Sequence, residues 1–108
     1  MEERIWTGLL LDFYGGLLTE HQRSTLELYL MEDLSLGEIG EQLGITRQGV
    51  RDAIVRGEAA LRKAEENAGI VARYLTFRER MEEVRRLAQG QETLLRELDA
   101  AMEIWEGD

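Results

Sequence analysis

The residues with the most distinctive chemistry lie close together, in and just after LSLGEIGEQLGITRQGVRDAI, Leu34 to Ile54. Arg47, Gln48 and Arg51 open a helix that starts after Thr46, and Val55 extends the exposed side by another turn. Arginine pairs bidentately with guanine and glutamine with adenine, so these side chains suit readout of base edges in a major groove. From Thr46 to Lys63, Arg47, Arg51, Arg56, Arg62 and Lys63 stand against Asp52 and Glu58, a basic island in a chain of net charge −9. The competing reading is ordinary solvation, with the arginines paired to acids such as Asp52. Glu38 and Glu41, from the helix before, would repel phosphate at the same face. A helix-turn-helix fold alone does not make a DNA binder.

Other apparent sites have simpler explanations. His21 has neither a second histidine nor a cysteine with which to share a metal. Glu65-Glu66 and Glu82-Glu83 are helix neighbours whose side chains diverge, with no apolar surroundings to raise a pKa. Gly37, Gly40 and Gly44 form no phosphate loop, because no strand precedes them and no Gly-Lys-Ser/Thr follows. Ser24 and Ser35 lack a base, and Ser35 is explained by capping. The expectation is no enzyme, no metal and no cofactor. Trp6 and Trp105 fit either partner-facing anchors or the closing of the two ends of the core.

What must position the Arg47 face is a pair of helices crossing steeply, with a tight turn and a small residue where their backbones meet. Gly40 is that small residue. Gly44 suits a turn position with φ above zero, and Thr46 accepts an orphan N–H to start the second helix. Ile39, Leu43, Ile45, Val50 and Ile54 are spaced to fill the wedge. A helical hairpin with two incidental glycines would explain the caps but not the joint placing of Gly40 and Gly44.

The remaining chain is helical in period, with no alternating Val/Ile/Thr runs. A first helix over about Arg4–Tyr14 aligns Ile5, Leu9, Asp12 and Phe13, with Leu10 and Tyr14 beside them, and Gly15-Gly16 is expected to end it in the left-handed conformation. Thr19 with Gln22, and Ser35 with Glu38, read as capping boxes for the second helix and for Leu36–Leu43. The fourth helix runs to about Asn67, with Gly69 beyond it. After Gly69, residues Ile70, Tyr74, Phe77, Met81, Val84, Ala88, Gln91, Leu95, Leu98, Met102 and Trp105 form a heptad stripe. Unbroken, that helix would be about 54 Å long, too long for a small globule to cover. A break at Gly90 is therefore expected. Phe77, Met81, Val84, Leu95, Leu98, Met102 and Trp105 are the candidate seam of a homodimer.

The fold class expected is all-α. A helix-turn-helix domain at 1–69 is followed by a helical extension at 70–108, broken near Gly90. At 108 residues, one modest core is the expectation. The absence of cysteine excludes disulfides and thiolate chemistry and fits a cytoplasmic location. No apolar run reaches the length of a membrane span, and no charged-then-apolar leader is read at the start. The acidity disfavours indiscriminate binding to nucleic acid or anionic membranes.

With Asp12-Phe13-Tyr14, Leu17-Leu18-Thr19, Leu34-Ser35-Leu36-Gly37-Glu38-Ile39 and Arg47-Gln48 in place, the chain resembles the YlxM family. These are small bacterial proteins whose helix-turn-helix looks like region 4 of sigma factors. The C-terminal part resembles the family more loosely. The resemblance implies a regulatory role in the signal recognition particle pathway, with that particle's GTPase or its RNA as partner. Arg51, Ala53 and Val55 depart from the tyrosine, asparagine and lysine common in the family, so the specificity of this helix face differs. Three readings follow: a regulatory binding protein of that pathway, a DNA-binding transcriptional regulator, and a purely structural dimer.

Overall fold

The computed structural model describes residues 1–106, which form six α-helices and one short 3₁₀ turn. They are α1 (Glu3–Tyr14), the turn Gly15–Leu17, α2 (Glu20–Leu30), α3 (Leu36–Leu43), α4 (Arg47–Ala68), α5 (Ile70–Leu87) and α6 (Glu92–Glu106). The chain divides into two compact units, Met1–Val71 and Ala72 onward, two residues beyond the expected boundary.

In the first unit, α4 packs against α1, α2 and α3. Leu10, Leu26, Ile39, Val50, Leu61 and Val71 are almost completely buried. Both expected capping boxes form, Thr19 with Gln22 and Ser35 with Glu38, so each helix start satisfies two orphan N–H groups with local side chains. On α1 the row of Ile5, Leu9, Asp12 and Phe13 is not the buried one, and the left-handed glycine expected at its end is absent. Its buried face is Thr7, Leu10, Leu11 and Tyr14, while Asp12 is exposed and Ile5 is 58% exposed. Gly15 is right-handed (φ −55°), because the chain tightens into the 3₁₀ turn, closed by Leu18 N–H donating to the Gly15 carbonyl at 3.1 Å. That turn reverses direction without a positive φ.

Arg4 ties α1 to the loop after α2. Its Nη2 donates to the Tyr29 carbonyl (2.7 Å) and to Asp33 Oδ1 (3.1 Å), and its guanidinium lies 4.6 Å from the Tyr29 ring centroid. Asp33 holds a φ of +56°, a conformation more often taken by glycine.

Only Gly69, left-handed at φ +62°, separates α4 from α5. The first N–H groups of α5 therefore need partners from elsewhere. Tyr14 and Glu65 provide them. Ile70 N–H donates to the Tyr14 hydroxyl (3.1 Å), Val71 N–H donates to Glu65 Oε1 (3.0 Å), and Tyr14 donates to the same Glu65 oxygen (2.6 Å).

In the second unit, α5 ends at Leu87 and Gly90 adopts φ +90°, so α6 folds back along α5. Trp105 lies 6.4 Å from Tyr74 and 6.3 Å from Phe77 between ring centroids, and Arg85 bridges to Asp99 at 2.6 Å. Much of the heptad stripe is thus turned inward between these two helices. Met102 is buried, and Phe77, Met81, Leu95 and Leu98 are half-buried. Val84 and Trp105 stay exposed, as do Leu87, Leu94 and Ile104.

Burial, then the hydrogen bond to Glu65 and its charge, push the Tyr14 hydroxyl above its ordinary value of 10.0. A raised folded-state value means that this stabilisation is complete below pH 10.0 and is lost as pH rises through the folded value. Tyr14→Phe should lower stability by about 1–2 kcal/mol at neutral pH. It should also flatten the alkaline fall in stability, measured by urea unfolding as a function of pH. An unchanged alkaline slope would contradict this assignment.

Candidate functional site

The candidate site is built on the joint between α3 and α4. The N–H of Glu38 donates to Ser35 Oγ (3.1 Å), and Ser35 N–H donates back to Glu38 Oε1 (2.9 Å). The Ser35 N–H, and then the Ser35 hydroxyl, hold the Glu38 carboxyl below its ordinary pKa. Gly44 ends α3 at φ +71°, where a side chain would be strained. Ile45 N–H then donates back to the Gly40 carbonyl at 2.9 Å, and Gly49 N–H donates to Thr46 Oγ1 at 3.0 Å to begin α4.

Gly40 is where the backbones meet. A Cβ added there would lie 2.7 Å from the Ile45 carbonyl oxygen, closer than real Cβ contacts come. Around this joint Ile39, Val50 and Ile54 are buried, Leu43 and Ile45 are half-buried, and Thr46 and Gly44 are exposed.

The outer face of α4 carries the residues singled out from the sequence. Arg47, Gln48, Arg51 and Val55 are all exposed, Val55 by 56%. Leu36, Arg47, Gln48 and Arg51 line a shallow hollow of about 340 Å³. Gln48 Nε2 donates to Asp52 Oδ1 at 3.0 Å, which commits the amide that adenine would need. Among the described residues, neither Arg47 nor Arg51 enters an ion pair. Glu41 and Asp52 are also exposed, so the face is mixed in charge rather than purely basic.

One feature escaped the sequence reading. A Cβ on Gly37 would lie 3.2 Å from both Nε and Nη2 of Arg47, so Gly37 makes room for the guanidinium against the first turn of α3. The signal was present as a small residue at the start of the first motif helix, but its neighbour across the turn is visible only in three dimensions.

A joint built around Gly40 and Gly44 with capped helices on either side is a helix-turn-helix. Comparison with known proteins gives it a family. Residues 1–101 match the model of UPF0122, a helix-turn-helix family described as YlxM / p13 like. The chain belongs to this family. A UPF0122 protein of Acetivibrio thermocellus is 50% identical over 84 residues, covering 78% of this chain and 72% of its relative. One from Desulforamulus reducens is 45% identical over 93 residues, covering 86% and 80%. One from Bacillus cereus is 43% identical over 89 residues, covering 82% and 78%. The UPF0122 match takes in the motif, the α4 face and almost all of the C-terminal hairpin. Among the described residues of this UPF0122 member, no helix is long and apolar enough to cross a membrane.

Gly40→Ala should cost about 1–3 kcal/mol in urea unfolding, because the contact to be relieved is backbone on one side and packed helix on the other. Gly16→Ala is the control: no heavy atom lies within 4 Å of the added Cβ, and its stability should be unchanged or slightly higher. Equal effects at the two positions would show that the close approach at Gly40 does not hold the motif.

Proposed function

We propose that the protein is a non-enzymatic, cytoplasmic regulatory binding protein of the signal recognition particle pathway. In this reading the α4 face made by Arg47, Gln48, Arg51 and Val55 contacts the particle's RNA or its GTPase. The observation that carries it is the pair of exposed arginines, Arg47 and Arg51, outside any ion pair among the described residues of a chain with net charge −9. An acidic protein has many carboxylates to offer an arginine. Two exposed arginines lining one hollow suit an anionic partner such as an RNA backbone. The pathway itself is what the YlxM resemblance implies.

DNA-binding transcriptional regulation is the second reading, favoured by the well-formed helix-turn-helix. Against it stands the engagement of Gln48 by Asp52, which ties up the amide that would read a base edge. Homodimerisation belongs to the leading proposal too. The hairpin leaves Val84, Leu87, Leu94, Ile104 and Trp105 exposed, Ile104 by 83%, and a second copy would cover them. Sedimentation that returns a monomer at micromolar concentration would end that part.

The test is a pull-down from lysate with and without nuclease, using wild type and an Arg47→Ala/Arg51→Ala double mutant. The proposal predicts recovery of the signal recognition particle GTPase or RNA with wild type and its loss with the double mutant. Nuclease sensitivity reports whether RNA bridges the contact. Recovery of DNA alone, lost in the double mutant, would overturn the proposal in favour of transcriptional regulation.

A further inference from the structure

A second surface of the first unit has a different chemistry. Between the end of α1, the outer side of α2 and the end of α3 runs an open groove of about 710 Å³. Its apolar lining is Leu11, Leu28, Met31 and Leu43, and Met31 is 52% exposed. The backbone of Gly15 and Gly16 forms one end, and an added Cβ on Gly16 would meet nothing within 4 Å. The volume is that of a site for a few side chains, since ligand pockets run to roughly 300–1,000 Å³. An open trough of this kind covers a small molecule poorly and suits a chain segment that brings its own backbone hydrogen bonds.

The charge on the groove selects the partner. Asp12, Glu27 and Glu32 line it together with the single cation Arg23. Arg23 is already held by Glu20 at 2.6 Å and by Glu27 at 3.8 Å. Among the described residues, Asp12 and Glu32 enter no ion pair. Nucleic acid would be repelled here, and a second copy of this chain would bring a net charge of −9 to an acidic rim.

We propose that this groove docks a basic amphipathic helix of a partner protein. Apolar side chains on successive turns of that helix seat between Leu28, Met31 and Leu43, and flanking Lys or Arg side chains pair with Asp12 and Glu32. Apolar anchors at helical spacing supply the affinity of such contacts, and the rim charges fix orientation and reject acidic competitors. The groove shares no residue with the α4 hollow, so it stands whether or not that face binds RNA.

The experiment is to pan a random library of helix-length peptides on the intact protein, synthesise the enriched sequences and map them by amide chemical shifts. The expected peptides carry apolar residues at i and i+3 or i+4 flanked by Lys or Arg, and shift Gly16, Ser24, Met31 and Gln42. Affinity should fall by about tenfold or more, roughly 1.4 kcal/mol, in Met31→Glu and in an Asp12→Lys/Glu32→Lys double variant. Both changes are at exposed positions, and far-UV circular dichroism checks that each variant is folded. The Arg47→Ala/Arg51→Ala protein should bind these peptides like wild type, which separates this groove from the α4 proposal. No enrichment, enriched sequences without basic residues, shifts centred elsewhere, or unchanged affinity in either groove variant would overturn it.

Discussion

The approach of Gly40 to the Ile45 carbonyl is the contact on which the arrangement of the first unit rests. With 2.7 Å between that oxygen and the place of a Cβ, only hydrogen can occupy the position without a shift. The turn can then close on Gly44, and α4 leaves it at a fixed angle. A second close approach lies farther along α4, where a Cβ on Gly57 would fall 2.7 Å from Cδ1 of the buried Leu26. Held at these two points, α4 has little freedom to rotate. Val50, Ala53, Ile54 and Leu61 therefore face the core, and Arg47, Gln48, Arg51 and Val55 face outward.

Local chemistry was legible in the sequence wherever one residue and its near neighbours decide the outcome. Ser35 with Glu38 and Thr19 with Gln22 announce helix starts because the bonds they make span only three residues. Gly44 and Gly69 announce helix ends because both take a positive φ. What the pattern could not supply was long-range geometry. Gly57 looks like an unfavourable mid-helix residue until Leu26 is seen against it. Residue types leave the buried side of α1 open, because Ile5, Leu9 and Phe13 are as apolar as Leu10, Leu11 and Tyr14. Packing, not composition, chose between them. The residue type of Gly15 suggests a left-handed turn, and a 3₁₀ turn reverses the chain there with ordinary angles.

The site residues show the same division. That Arg47, Gln48, Arg51 and Val55 share an accessible side of α4 follows from helical spacing. That Gln48 is spent on Asp52, and that Gly37 admits the Arg47 guanidinium, depends on rotamers and on the crossing of two helices. The charge pattern then gains meaning. Among the described residues, Arg47 and Arg51 on α4 and Asp12 and Glu32 along the groove between α1, α2 and α3 enter no ion pair, so the first unit offers faces of opposite preference.

Binding at the α4 face is decided by an amide chemical-shift titration of the labelled protein with a structured RNA hairpin at two salt concentrations. Perturbations should centre on Leu36, Gly37 and residues 47–55 and weaken steeply as salt rises, because the contact is to phosphate. Perturbations confined to the α5–α6 hairpin, or an affinity indifferent to salt, would contradict the assignment of the α4 face as the binding surface.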